Sequence, residues 1–361
     1  MDYENFKDQF VEDVKQSLQE RGIDDVNITF NKVEKMNESY EAMTVTPEGN
    51  SIGMNLNLDK LFSSYENGVD YEEIVSSATN TIENNIINAP SFDVAMLTDY
   101  EQMKDKLCME VVSSERNAEL LSKVPHKELE DMAVVYRFVM ESNEEGRSSI
   151  MVTNHLLDKL EVTPEQLHAD AMENAPEIRP AIIKGMNEVM MEMMGMDVAE
   201  MFGVDEMPQD EMMYVATVPD KISGAGVIAY QEFMDQAAEK LGGDFYVLPS
   251  SIHEILLVKD DGNVDYSQLK SMVEEVNATQ VSPEEKLTDS VYHYDSKDHI
   301  FELAEKFEDR QQTKEKDVSL EKEEKGSVLK ELKDKQKEVD KAAPAKDAVD
   351  KTTKSKGGEA L

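Results

Sequence analysis

The chain has 361 residues, 40% of them hydrophobic, which is enough to bury two or three cores that fold unaided. Its 77 acidic and 37 basic residues give a formal net charge of −40, which repels phosphate polyanions and anionic membranes and so excludes them as direct partners. The single cysteine, Cys108, excludes an internal disulfide and a four-thiolate metal site and fits a reducing compartment.

In chain order, Phe6, Phe10, Val14 and Leu18 recur every four residues and Gly22 follows, the pattern of an amphipathic helix with a glycine stop. Val26, Ile28 and Phe30 alternate as a strand, and Met43 to Thr46 is followed, across Pro47, Glu48 and Gly49, by a second alternating run from Ile52 to Leu58. A helical pattern resumes at Leu61 and runs past Ile74 toward Ile87. Cys108 sits in the apolar run Leu107 to Val112, where a buried structural thiol is expected.

A hairpin followed by a helix then recurs. The first copy is Ala133 to Met140, a turn at Gly146, Ile150 to Thr153, and helices through Leu156 and Leu167. The second pairs Tyr214 to Val218 with Gly226 to Tyr230 and ends in the helical stripe Phe233, Ala237 and Leu241. The third turns Phe245 to Leu248 through Pro249, Ser250 and Ser251 into Ile252 to Val258, before a helix carrying Leu269, Met272, Val273 and Val276. The expected fold class is therefore α+β, with antiparallel sheets built from repeated hairpin-helix units.

Gly185 to Met213 holds ten of the 23 methionines, with Met186, Met190, Met193 and Met201 at near-helical spacing. Methionine fills irregular core gaps and also lines adaptable protein-binding grooves, so Met190, Met193 and Met194 are candidate protein-binding residues. From Glu302 onward there are 16 acidic and 15 basic residues, leaving 61 and 22 before it, so the body alone carries −39. The alternating Glu and Lys beyond that point bury too little apolar surface to fold, which predicts a disordered or partly helical tail. Within it Ser327 caps a patterned stretch whose Leu329, Leu332 and Val339 share one side, a second candidate docking segment. The expected domains are an α+β region over 1–180, a Met-rich helical connector over 181–211, an α+β region over 212–300 and the tail over 301–361.

No residues are assigned to catalysis, a cofactor or a metal. The histidines at 126, 155, 168, 253, 293 and 299 form no metal-binding pair on one helix, and His293, Asp295, Asp298 and His299 read as a solvated surface. Ser250, Ser251 and His253 lack the flanking glycines of a strained nucleophile turn. Gly224 and Gly226 fit neither a dinucleotide loop nor a Walker loop. The chain opens Met1, Asp2, Tyr3, Glu4 with no basic apolar leader, and its longest apolar run, near Met132 to Met140, is broken by Arg137, so cytoplasmic residence is expected.

Six phrases, YENG at 65–68, DMAVVY at 131–136, MNEVMMEM at 186–193, GDFYVLPSSIHE at 243–254, EEVNATQV at 274–281 and TDSVYHYD at 288–295, resemble in order the bacterial family named domain of unknown function 5688. The tail phrase GSVLKELKDKQKEV at 326–339 is similar to tails on accessory proteins carried by mobile elements of gut anaerobes. The resemblance implies a context and transfers no catalytic residue. Three functions are consistent with these features. The first is a non-enzymatic cytoplasmic accessory protein that binds another protein; the second is an acidic DNA mimic that inhibits a DNA-binding protein; the third is an enzyme whose site assembles from Ser250, Ser251, His253 and His168.

Overall fold

The computed structural model describes residues 1–49, 53–87, 94–143, 146–194 and 211–314, of which 1–304 form one compact unit and 305–314 belong to a second. The larger unit is α+β, and every strand pairing in it is antiparallel.

The chain begins with helix α1 (Tyr3–Glu20), whose first turn is capped by the Asp2 carboxylate accepting from Asn5 N at 3.0 Å. Phe6, Phe10, Val14 and Leu18 are all fully buried, as their spacing predicts. They cover a three-stranded sheet of β1 (Val26–Lys35), β2 (Glu38–Pro47) and β3 (Met54–Asn57), together with α2 (Leu58–Glu66) and α3 (Tyr71–Ile87). The helix expected to run from Leu61 to Ile87 is two helices. Gly68 takes φ of +92°, a left-handed turn that ends α2 and that a side chain resists.

Next come α4 (Tyr100–Met103), β4 (Leu107–Ser113), α5 (Ala118–Leu121), β5 (His126–Leu129), β6 (Met132–Asn143) and β7 (Gly146–Met151). Strand β6 pairs with β4 on one side and with β5 and β7 on the other. Helices α6 (Asn154–Leu160) and α7 (Pro164–Ile178) begin at Thr153 and Thr163, whose hydroxyls accept from Leu156 N and Gln166 N. Every residue of β4 is buried, Cys108 included, and both α7 and the 3₁₀ segment Gly224–Ala229 pack on the strand.

The remainder builds a six-stranded sheet with β8 (Ile182–Gly185), α8 (Met186–Met193), β9 (Met213–Thr217), α9 (Gln231–Leu241), β10 (Phe245–Leu248), β11 (Ile255–Lys259), α10 (Tyr266–Thr279), β12 (Tyr292–Asp295) and β13 (Ile300–Leu303). The strand order is β13-β12-β10-β11-β9-β8.

The chain departs from its local sequence pattern in four places. Gly226 to Tyr230 is not the second strand of a hairpin: most of it lies in the 3₁₀ segment, and β9 pairs instead with β8 and β11. A Cβ built on Gly226 would lie 2.7 Å from the Met109 carbonyl, so the glycine is there to let this segment press onto β4. The boundary expected at 180 does not separate two bodies, because one apolar cluster joins Met109, Tyr136 and Leu167 to Phe233, Phe245 and Tyr292. Strand β8, expected within the connector, is part of the sheet. The tail does not start at 301, since β13 pairs with β12 and places Phe301 and Leu303 against that same cluster. Residues 305–314 are helical, and there the Arg310 guanidinium lies 5.4 Å from the centre of the Phe307 ring.

The β1–β2 turn is held against the central layers by a polar clasp. Asn37, with φ of +59°, donates its backbone N–H to Asn117 Oδ1 at 2.7 Å, and Asn117 Nδ2 returns a bond to Asn37 Oδ1 at 2.8 Å. The Asn37 amide also donates to the carbonyls of Glu284 at 3.0 Å and Lys286 at 2.8 Å. Asn117 is itself buried. Replacing it with alanine strands the Asn37 groups, so Asn117→Ala is expected to lower the free energy of urea unfolding by about 1–3 kcal/mol.

Candidate functional site

The candidate protein-binding residues on α8 are the sequence-derived ones that the structure places on a surface. Helix α8 leaves the edge strand β8 through Gly185, and the Glu211 carboxylate occupies the space a side chain there would fill while accepting from Asn187 N. Lys184 reaches from β8 to Glu188 at 3.8 Å and also bonds Glu192, tying the helix to the sheet edge. No side chain of α8 is buried. Met190 is 48% exposed, Met193 84% and Met194, just past the helix, 64%. Positions three and four apart stack on one helical side, so the three thioethers form a single apolar face, while Glu188 and Glu192, each two positions from Met190, lie on the other side of the helix with Lys184. Met201 and the second candidate segment, Leu329, Leu332 and Val339, lie outside the described residues.

The residues considered for an assembled enzyme site fall into two separate clusters. In the first, His168 on α7 bonds the buried Tyr136 through Nδ1 at 2.9 Å and Lys127 through Nε2 at 2.9 Å. A lysine ammonium only donates, so Nε2 accepts and the ring proton sits on Nδ1, directed at the Tyr136 oxygen. Burial, reinforced by the Lys127 charge, pushes the His168 pKa below its ordinary value, and burial pushes the Tyr136 phenol up to about 12.

In the second, Ser251 Oγ accepts from His253 N at 3.0 Å, and His253 Nδ1 accepts from Ser223 N at 3.2 Å. His253 Nε2 lies 3.6 Å from Glu285. Both ring nitrogens thus face groups other than a serine hydroxyl, and Ser250 and Ser251 pair through the backbone with Leu287 and Lys286. This cluster is a stitched turn, not a nucleophile with its base. No hydrogen bond or ring contact among the described residues joins it to His168.

The polar segment before Ile300 is not the solvated surface its composition suggests. His293 is fully buried and Asp295 is 5% exposed, because both lie on β12 inside the sheet. His293 Nε2 bonds Asp260 at 3.1 Å with its ring edge-on to Tyr246. That bond, with a further one from Gly262 N and against the opposing effect of burial, holds the Asp260 carboxyl below the usual carboxylate range. His299 does lie outside, where Asp235 accepts from its Nδ1 at 2.9 Å and from the Tyr294 hydroxyl at 2.7 Å.

Asp131 is a polar hub with no local sequence signal. In the β5–β6 turn it accepts from Thr288 Oγ1 at 2.9 Å, from Ser290 Oγ at 2.8 Å and from the Tyr292 hydroxyl. Its partners lie some 160 residues along the chain (157, 159 and 161), beyond the reach of any pattern in its neighbourhood. Among the described residues no group of three or more His, Cys, Asp and Glu side chains is placed to hold a metal ion, and no helix is long and apolar enough to cross a membrane.

Comparison with known proteins matches residues 3–296 to a family of unknown function, DUF5688. The chain belongs to that family. The match spans almost the whole larger unit and ends inside the β12–β13 turn. No curated protein and no solved structure matches this DUF5688 chain.

Two measurements check this chemistry. Nitrogen NMR of the His168 ring is expected to show a neutral imidazole protonated on Nδ1 at pH 6.5, and Lys127→Ala to move its pKa upward. Because the Asp260 carboxyl titrates lower in the folded chain than in the unfolded one, its contribution to stability is complete above about pH 4 and is lost as the pH falls through its depressed folded value. The unfolding free energies of the wild type and Asp260→Asn should therefore differ most near neutrality and converge in acid.

Proposed function

We propose that this chain is a non-enzymatic accessory protein of the cytoplasm that binds another protein, and that the α8 methionine face receives it. The observation that carries the reading is the exposure of Met190, Met193 and Met194 on a helix that contributes no buried side chain. Thioether side chains are flexible and polarizable, and they adapt to varied apolar surfaces. Three of them at i, i+3 and i+4 suit an amphipathic helix laid across the face. The body's charge of −39 favours a partner whose apolar stripe is flanked by Lys or Arg. Cytoplasmic residence is supported by the single, buried cysteine.

The test uses the full chain with isotope-labelled methionine methyl groups and a Leu/Lys peptide patterned as an amphipathic helix. The control has the same composition shuffled to erase the apolar stripe. The methyl resonances of Met190, Met193 and Met194 are expected to shift saturably with the patterned peptide alone. The triple variant Met190→Gln, Met193→Gln and Met194→Gln should weaken binding by about tenfold or more, from the apolar area it removes. Equal binding of both peptides, or binding indifferent to the triple variant, overturns the proposal.

A further inference from the structure

We infer that Met190, Met193 and Met194 form an oxidation site at which conversion to methionine sulfoxide switches the α8 face off without disturbing the fold. The inference rests on the docking role proposed above and adds its regulation. Methionine oxidation follows the access of the oxidant to sulfur, and the described methionines span a wide range on that count. Met43, Met103, Met109 and Met132 are fully buried and Met234 is 2% exposed, whereas the three on the α8 face are 48, 84 and 64% exposed, and Met1 and Met212, at 44 and 45%, are exposed away from that face.

The chemistry balances with a hydroperoxide as the only co-reactant. A sulfur lone pair attacks one peroxide oxygen, an S–O bond forms as the O–O bond breaks, and the second oxygen leaves as water after taking up a proton. Sulfur is oxidised by two electrons and hydrogen peroxide is reduced by two. The product is a polar, chiral sulfoxide in place of a flexible apolar side chain.

Position decides what that change does. A sulfoxide at Met109 or Met132 would set a polar oxygen inside the central core, at the cost of burying an unsatisfied acceptor. On α8 no side chain is buried, so the new oxygen has water to bond and no core to disrupt. What it removes is the continuous apolar surface an amphipathic partner would cover. The three sulfurs share one face, so oxidation at any of them interrupts it. Thiol-dependent reductases reverse the reaction, which makes the change a switch and not a lesion.

The experiment treats the full chain with hydrogen peroxide and follows sulfoxide at each methionine by peptide mass spectrometry, with melting temperature and Leu/Lys peptide binding measured on the same samples. Sulfoxide is expected at Met190, Met193 and Met194 at least about tenfold faster than at Met43, Met103, Met109, Met132 and Met234. The melting temperature should hold while peptide affinity falls by at least about tenfold and returns after reductase treatment. The variant Met190→Leu, Met193→Leu and Met194→Leu keeps the face apolar and cannot be oxidised there, so it should bind before and after peroxide alike. Oxidation of the α8 methionines no faster than the buried ones overturns the site. Selective oxidation with undiminished binding overturns the switch alone. Failure of the untreated chain to bind the patterned peptide overturns the docking reading and the switch with it, while the map of sulfoxides still reports the site.

Discussion

Strand β4 is covered on both faces, and burying all seven of its residues dictates much of what surrounds it. A strand buried on both sides cannot carry a charge unless the charge is paired, and Glu110, in the middle of β4 and fully buried, accepts from Arg137 Nε on β6 at 2.8 Å. One neighbour approaches the backbone of β4 closely, and Gly226 lies against the Met109 carbonyl where a Cβ would collide. The same constraint merges the two halves of the chain. Helix α7 and the segment after β9 both pack on β4, and one apolar cluster takes residues from both, so neither half can complete its core alone.

Around that apolar centre, polar side chains join elements far apart in sequence. Asp131 collects hydroxyls from the segment entering β12, Asn37 and Asn117 clasp the β1–β2 turn, and buried Arg179 bonds Asp220 at 2.8 Å. Each of these groups would cost free energy if buried without a partner, and with partners they favour one arrangement of the layers over its competitors. The N-terminal layer keeps its own apolar cluster, built on Phe6, Phe10, Met43 and Ile82, and meets the rest largely through such polar contacts.

The α8 face stands apart from this economy. Elsewhere in the described residues methionine mostly packs in or against the core, as at Met43, Met109 and Met132, but Met190, Met193 and Met194 are left in water. Lys184 secures the helix at its base through Glu188 and Glu192, and Glu211 secures its first turn, so polar contacts tie it to the sheet edge.

Period and composition alone determined a good deal. The four-residue stripe of α1, the alternation of β1, the β6–β7 and β10–β11 hairpins, the buried Cys108 and the Met-rich helix are local patterns set by which side of an element must be dry. Tertiary structure alone decided the partners across distance. It drew β8 into the sheet, turned the Gly224–Ala229 stretch into a 3₁₀ cover for β4, carried the fold past residue 301, and buried His293 and Asp295 in a segment whose composition suggests solvent. Local sequence encodes which faces avoid water, but which faces meet is set by closing the whole core, and that information is spread over residues more than a hundred positions apart.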